Sequence, residues 1–311
     1  ADEQARRETD EQAKREAEEQ AKREAEDKAK REAIAAEAER KRAEAELRWL
    51  DPRDPGDPSD AVDLDALGEI LASLDDAARP RTLVSVMTAN NETGVIQPVD
   101  EIVALAKSAG VAVHSDMVQA LGKQHLDFAG LGLDFASLSA HKIGGPAGIG
   151  ALLVRPGRAM TSLLRGGGQE QGRRSGTENV IGIAGFGGAA KAAFEDIAHY
   201  QAMAAWRDGL EARLASQRND AVLFGAGADR LGNTSCLAIG ERSSERMVMA
   251  LDLAGVAVSA GAACSSGKVH ESHVLKAMKA DVHAGCAIRI SGGWNSGEAD
   301  FERLAEVLVA L

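Results

Sequence analysis

Two short stretches of this chain carry the residue types for amine and acid chemistry. "SLSAHKIGGPAG" (137–148) runs an alternating segment into Ser139, His141 and Lys142, then into glycine and proline. A lysine there is either a solvated strand end or a reactive amine. Buried near cations or apolar walls, it would lose basicity and become able to form a Schiff base. "HSDMVQ" puts His114 and Asp116 on one strand face, because strand side chains alternate. A carboxylate so presented can hold a proton on a heterocycle nitrogen. A His-x-Asp pair can also ligate a metal, although no further cluster at ligand spacing supports that reading.

A third stretch suits an anion. "RGGGQEQGRRSGTEN" (165–179) offers glycine-rich backbone amides with Arg173, Arg174 and Thr177, a combination fit for phosphate. A Schiff-base lysine, a partner for a pyridinium nitrogen and phosphate donors together describe a pyridoxal phosphate site. The segment also reads as an RNA-binding run, but the acidic balance and the 3% aromatic content oppose that. Three cysteines are widely spaced and odd in number, as expected of free thiols in a reducing cytoplasm. Cys236 in "NTSCLAIG" and Cys286 in "GCAIRIS" read as buried core. Cys264 lies in "VSAGAACSSGKVHESHVL", a Gly/Ala/Ser-rich loop where Lys268 and His270 would favour a thiolate.

The elements that must position these groups follow from periodicity. "AVDLDALGEILASL" repeats apolar residues at helical spacing, "TLVSVMTA" reads as a buried-type strand, and "VDEIVALAKSAG" as a helix with a glycine stop. "VAVHSDMVQ", "FASLSAHK" and "GIGALLVR" are further strands. This rhythm implies a sheet with parallel strands and packed helices, and reactive groups gather at the carboxyl ends of such strands. Asn90, Asn91, Asp116, Gln119 and the 139–142 stretch occupy such ends. A long helix is expected after about residue 195, followed by shorter α and β elements ending in "FERLAEVLVAL".

The first 49 residues differ. An eight-residue pattern ("EQAKREAE") repeats across 3–34 with acidic residues four before basic ones, which supports a solvated helix without an aliphatic seam. "DPRDPGDPSD" (51–60) ends it. The expected division is therefore a charged helix (1–49), a linker (50–61), a large domain (62–195) and a smaller α+β domain (196–311). A net charge of −12 argues against nucleic acid or an anionic membrane as partner, and no apolar run approaches the roughly 20 residues a transmembrane helix needs.

The ordered stretches "VSVMTANNETGVIQP", "VHSDMVQALGK", "SLSAHKIGGPAGIGALLVR", "LLRGGGQEQGRRSGTENV", "VSAGAACSSG" and "CAIRIS" resemble the cysteine desulfurases of the class V aminotransferase family, the iron–sulfur assembly and nitrogen-fixation type. The resemblance covers about 62–311. It implies an α/β fold of the PLP-dependent transferase (aspartate aminotransferase-like) type, with the large domain incomplete on its N-terminal side and the charged helix in that place. It implies that Lys142 carries the cofactor, Asp116 pairs with its ring nitrogen and Gln119 with its ring hydroxyl. Ser139 and His141 would hold the phosphate, and Thr177 the phosphate of a second subunit. Asn91 and Arg289 would bind the carboxylate of L-cysteine, and Cys264 would accept its sulfur as a persulfide for an iron–sulfur scaffold or other acceptor. A cytoplasmic homodimer is implied. Two other readings stay open: another activity of the family, such as selenocysteine lyase, and a non-catalytic binding protein.

Overall fold

The computed structural model describes residues 19–20, 22, 25–27, 29–30, 48, 61–261 and 271–311. Within the repeat, the described residues 19, 20, 22, 25–27, 29 and 30 are helical and exposed; apart from Arg48, the rest of the charged segment and the whole of 51–60 lie outside the described residues. Contacts divide the chain into two units, one containing Met160–Thr177, the other joining Leu50–Ala159 to Glu178–Leu311. Among the described residues no helix is long and apolar enough to cross a membrane.

The first sheet of the larger unit has the order β1 (Leu83–Met87), β2 (Ala112–Asp116), β3 (Phe135–Ser139), β4 (Gly150–Val154). β1, β2 and β3 are parallel, in the register Met87↔Asp116 and Asp116↔Ser137. Three chain exits therefore leave one sheet edge together. β4 departs from the expected parallel arrangement and pairs antiparallel with β3. The link through 140–149 is too short for a crossover, which needs about a dozen residues or more.

Two helices, α1 (Leu64–Ala72) and α2 (Val99–Ser108), cover this sheet with a core of Leu67, Leu71, Ile102, Val103, Val111, Val113, Leu133 and Ala136. Asp63 caps α1 by accepting from the backbone N–H groups of Asp65 and Ala66. The buried-type reading of "TLVSVMTA" is corrected: β1 is an edge strand, and Leu83 and Met87 are 51% and 39% exposed. Its aliphatic composition is that of a covered strand, but only one flank has a neighbour.

A short helix, α3 (Phe128–Leu131), precedes β3. Beyond β4 come two long helices, α4 (Val180–Glu195) and α5 (Ile197–Gln217). The second sheet is antiparallel throughout, with β5 (Ala221–Phe224), β6 (Thr234–Ile239), β8 (Ile288–Ser291) and β7 (Ser259–Ala260) in that spatial order. Helix α6 (Ser244–Leu253) leads into β7, α7 (His273–Ala277) precedes β8, and α8 (Glu298–Ala310) closes the chain. Leu210, Leu214, Leu237, Ile239, Ile288, Leu304 and Leu308 share one core across this sheet.

Cys236 is fully buried, as its strand position implied. Cys286 is not core. It lies on the turn before β8, half-exposed, its Sγ 3.7 Å from the Val282 carbonyl, and partial burial with nearby Glu241 pushes the thiol pKa up.

Glu211 on α5 is buried and accepts from Arg230 Nη1 (2.8 Å) and Nη2 (2.7 Å) and from Ser235 Oγ (2.6 Å). Removing one member of such a pair strands the other charge. Glu211→Ala is expected to cost about 3–5 kcal/mol in urea unfolding.

Candidate active site

The shared edge of β1, β2 and β3 collects most of the residues singled out from the sequence. After β3 the chain tightens into a 3₁₀ turn (Ala140–Ile143) that holds His141 and Lys142 and ends at Gly144 with φ +78°. A left-handed exit suits glycine because it has no Cβ. Ser139 Oγ and His141 Nδ1 are 2.8 Å apart. After β2, Asp116 stands exposed with Oδ1 accepting from the Val118 N–H (2.9 Å), and the turn that follows carries Gln119. After β1, Asn90 Oδ1 accepts from the N–H groups of Glu92 (2.7 Å) and Thr93 (3.1 Å), which holds Asn91 at the tip of the turn.

Arg289 comes from β8 of the other sheet. Its Nη1 donates to the Asn91 carbonyl at 2.9 Å, fastening the two sheets together at the site. Gly94 makes this approach possible: its φ is +77°, and a Cβ there would lie 2.8 Å from Thr234 Cβ. Arg289 Nε is buried with no hydrogen-bond partner among the described residues. An orphaned guanidinium nitrogen is uncommon in folded chains and marks a place where an acceptor is wanted.

Asn91, Gln119, Lys142 and Arg289 line one cavity of about 520 Å³, within the usual range for small-molecule sites. Lys123, Asp196, Tyr200, Asn233, Thr234 and Trp294 complete much of its wall. Burial, reinforced by Lys142 and Arg289, brings the pKa of Lys123 down to about 8. Burial, with Asp196, pushes the Tyr200 hydroxyl up.

Asp116, Ser139 and His141 leave the same sheet edge but do not line this cavity. Arg173, Arg174 and Thr177 belong to the other unit, where Arg174 Nη1 donates to the carbonyls of Gly176 (3.0 Å) and Thr177 (3.4 Å). Cys264, with Lys268 and His270, lies outside the described residues. The stems of its segment are described. Ser259 pairs with Arg289, the Gly261 N–H donates to the Ala287 carbonyl (3.0 Å), and Ser272 N–H donates to the Ala284 carbonyl (2.8 Å). Ser272 Oγ also donates to buried Glu92 Oε2 at 2.6 Å. The described residues that flank Cys264 in sequence, Gly261 and Ser272, are thus bonded to Ala287 and Ala284, just before the strand that carries Arg289.

His114 is engaged rather than open to a metal. Its Nδ1 lies 2.9 Å from Ser85 Oγ and its Nε2 3.2 Å from Ser137 Oγ, bridging three strands. Burial holds its pKa below the ordinary 6.5, partly opposed by Asp116. The folded chain therefore takes up this proton less readily than the unfolded chain, and stability is lost as pH falls below about 6.5. Chemical denaturation between pH 7 and 5 is expected to show that decline, and His114→Gln to flatten it.

Lys123 and Glu92 had no role in the sequence reading. Lys123 sits four residues after Gln119 in "QALGK", a spacing that turns two side chains to one side of a helical turn, which was the available signal. Glu92 gave none, since its partner Ser272 is remote in sequence.

A family model described as Aminotransferase class-V matches residues 22–304, and the chain belongs to that family. The family is pyridoxal-phosphate-dependent. The chain is 46% identical over 234 residues to a protein named cysteine desulfurase from Cereibacter sphaeroides, covering 75% of this chain and 60% of that one. It is 40% identical over 225 residues to the cysteine desulfurase NifS of Azotobacter vinelandii, covering 72% and 54%. Among solved structures, the NifS-like protein from Rickettsia africae ESF-5 superimposes with a TM-score of 0.74 at 33% identity, covering 83% of this chain and 68% of that one. These findings establish the PLP-dependent transferase fold. The chain spans roughly half to three fifths of the length of the two curated relatives named.

Proposed function

We propose that this chain is a pyridoxal-phosphate-dependent cysteine desulfurase, converting L-cysteine to L-alanine while sulfur passes to Cys264. The observation that carries the reading is the convergence of Lys142, Gln119, Asn91 and Arg289 on one cavity from both sheets. The donor set suits the cofactor: an amine, a side-chain amide and an orphaned guanidinium nitrogen meet in a space of the right size. Lys142 would hold the cofactor through its amine, Gln119 its ring hydroxyl and Asp116 its ring nitrogen. Ser139 and His141 would take the phosphate, joined by Thr177 of a second copy. When bound, the cofactor supplies an electron sink for the substrate's α-carbon.

The chain's own groups do the rest. Arg289, anchored by the Asn91 carbonyl, presents a fork of donors to the substrate carboxylate and orients it. Lys142 also brings to the same cavity an amine that would carry a proton to or from the substrate carbon. The Cys264 thiolate attacks the substrate sulfur. The Cβ–S bond breaks with its electron pair going to carbon, which takes a proton to give alanine, and the sulfur stays as a persulfide. Acceptance by a thiol needs thiolate character near neutral pH. A sulfur-acceptor protein of iron–sulfur assembly and a second copy of the chain are the partners in this reading, in the cytoplasm. We assign 62–195 as the cofactor-binding part and 196–311 as the part that carries the thiol, after a charged helix (1–49) and linker (50–61).

The test is direct. Pyridoxal phosphate is titrated into the purified chain while the visible spectrum is recorded, then L-cysteine is added and alanine and persulfide are quantified. A saturable band with equal yields of alanine and persulfide is expected. A colourless chain with no turnover would leave the non-catalytic reading in its place.

A further inference from the structure

The cavity holds one basic side chain that the proposed chemistry does not use, Lys123. Lys123, Lys142 and Arg289 all line it, and among the described residues Asp196 is the one carboxylate in its lining. Among the described residues no carboxylate lies within ion-pair distance of any of the three cations. Lys123 is not drawn outward to solvent. Its Nζ donates to the Gln119 carbonyl at 2.8 Å and to Gln119 Oε1 at 3.5 Å, which pins the amine against the wall and leaves one N–H bond unassigned. Arg289 Nε is likewise without an acceptor.

Crowding three cations without a counter-charge is unfavourable, and the cost is relieved when an anion arrives. We infer that Lys123 is a substrate-positioning residue: together with Arg289 it binds the carboxylate of the incoming amino acid, the guanidinium setting its plane and the ammonium closing the opposite side. This rests on the desulfurase reading and adds to it a second recognition group. The depressed basicity of Lys123 fits the same role, since a bound carboxylate would raise the pKa of the amine and offset the neighbouring basic groups that lower it. The other groups on that wall do not supply the counter-charge: burial pushes the Tyr200 hydroxyl up, and Asp196 makes no ion pair with the amines.

The experiment follows Lys123 by peptide mapping after brief acetylation of the full chain across pH 6–10, alone, with propionate, and with inorganic phosphate, in the presence and absence of pyridoxal phosphate. Propionate is expected to slow Lys123 acetylation and to move its half-reaction to higher pH, an effect that Arg289→Met removes. Kinetically, Lys123→Met is expected to raise KM for L-cysteine about 10- to 100-fold with a smaller change in kcat, and Lys123→Arg to recover most of it. No protection by propionate, or equal protection in Arg289→Met, would overturn the inference. Protection by phosphate but not by propionate would overturn the carboxylate assignment. Protection by propionate in a chain that shows no cofactor band would uphold the carboxylate site while removing the desulfurase reading, so the two failures are distinct.

Discussion

Lys142→Ala is expected to abolish the visible band formed with pyridoxal phosphate and to lower turnover of L-cysteine by at least about 10²–10⁴-fold, the scale set by loss of a positioned proton carrier alone. Two functions fall together, covalent retention of the cofactor and proton transfer, so the true loss should exceed that scale. The fold should survive. Lys142 lies on the 3₁₀ turn that follows β3 and is only half-buried. Far-UV circular dichroism should therefore be unchanged while the absorption difference is complete. If the variant kept a band of full intensity, another amine would be holding the cofactor. Lys123 in the same cavity is the candidate to examine, by borohydride reduction and peptide mapping.

The second large effect concerns sulfur rather than cofactor. Cys264→Ser is expected to leave the Lys142-dependent band intact and to remove persulfide formation, with alanine production reduced about 10³-fold or more, because a hydroxyl at neutral pH is a far poorer acceptor of sulfur than a thiolate. The other two thiols are poorly placed to substitute. Cys236 is fully buried in β6, and Cys286 has its thiol pKa raised by partial burial and Glu241. Mass spectrometry after incubation with L-cysteine should locate the extra sulfur on the peptide containing Cys264. Loss of both band and persulfide in this variant would contradict the division of labour between amine and thiol.

Lys142 and Cys264 stand out in the sequence because each lies in a long, specific local motif. The strand-to-turn pattern around "SAHKIGG" was equally plain: alternation ran to Ser139 and glycine marked the stop, and β3 with its 3₁₀ turn follows that course. Exposure was less legible. The aliphatic run at β1 and the Cys286 side chain both carry the composition of a core position and are less buried than it suggests, since composition reports what a residue is able to bury and not how many neighbours it has. The reversal of β4 was missed for a related reason: the length of the connecting loop held the answer, and strand periodicity is blind to direction.

By itself the sequence determined the α/β order of elements, the ends of strands where polar side chains collect, and the family to which the chain belongs, because these are written in contiguous residues. Only the tertiary structure decided which of those side chains meet. Arg289 reaches Asn91 across nearly two hundred residues, Glu92 ties down Ser272, and Lys123 faces Lys142 and Arg289 in one wall. The physical reason is that electrostatic and hydrogen-bonding partners are selected by distance in space, over a few ångströms, and the packing of two separate sheets sets that distance.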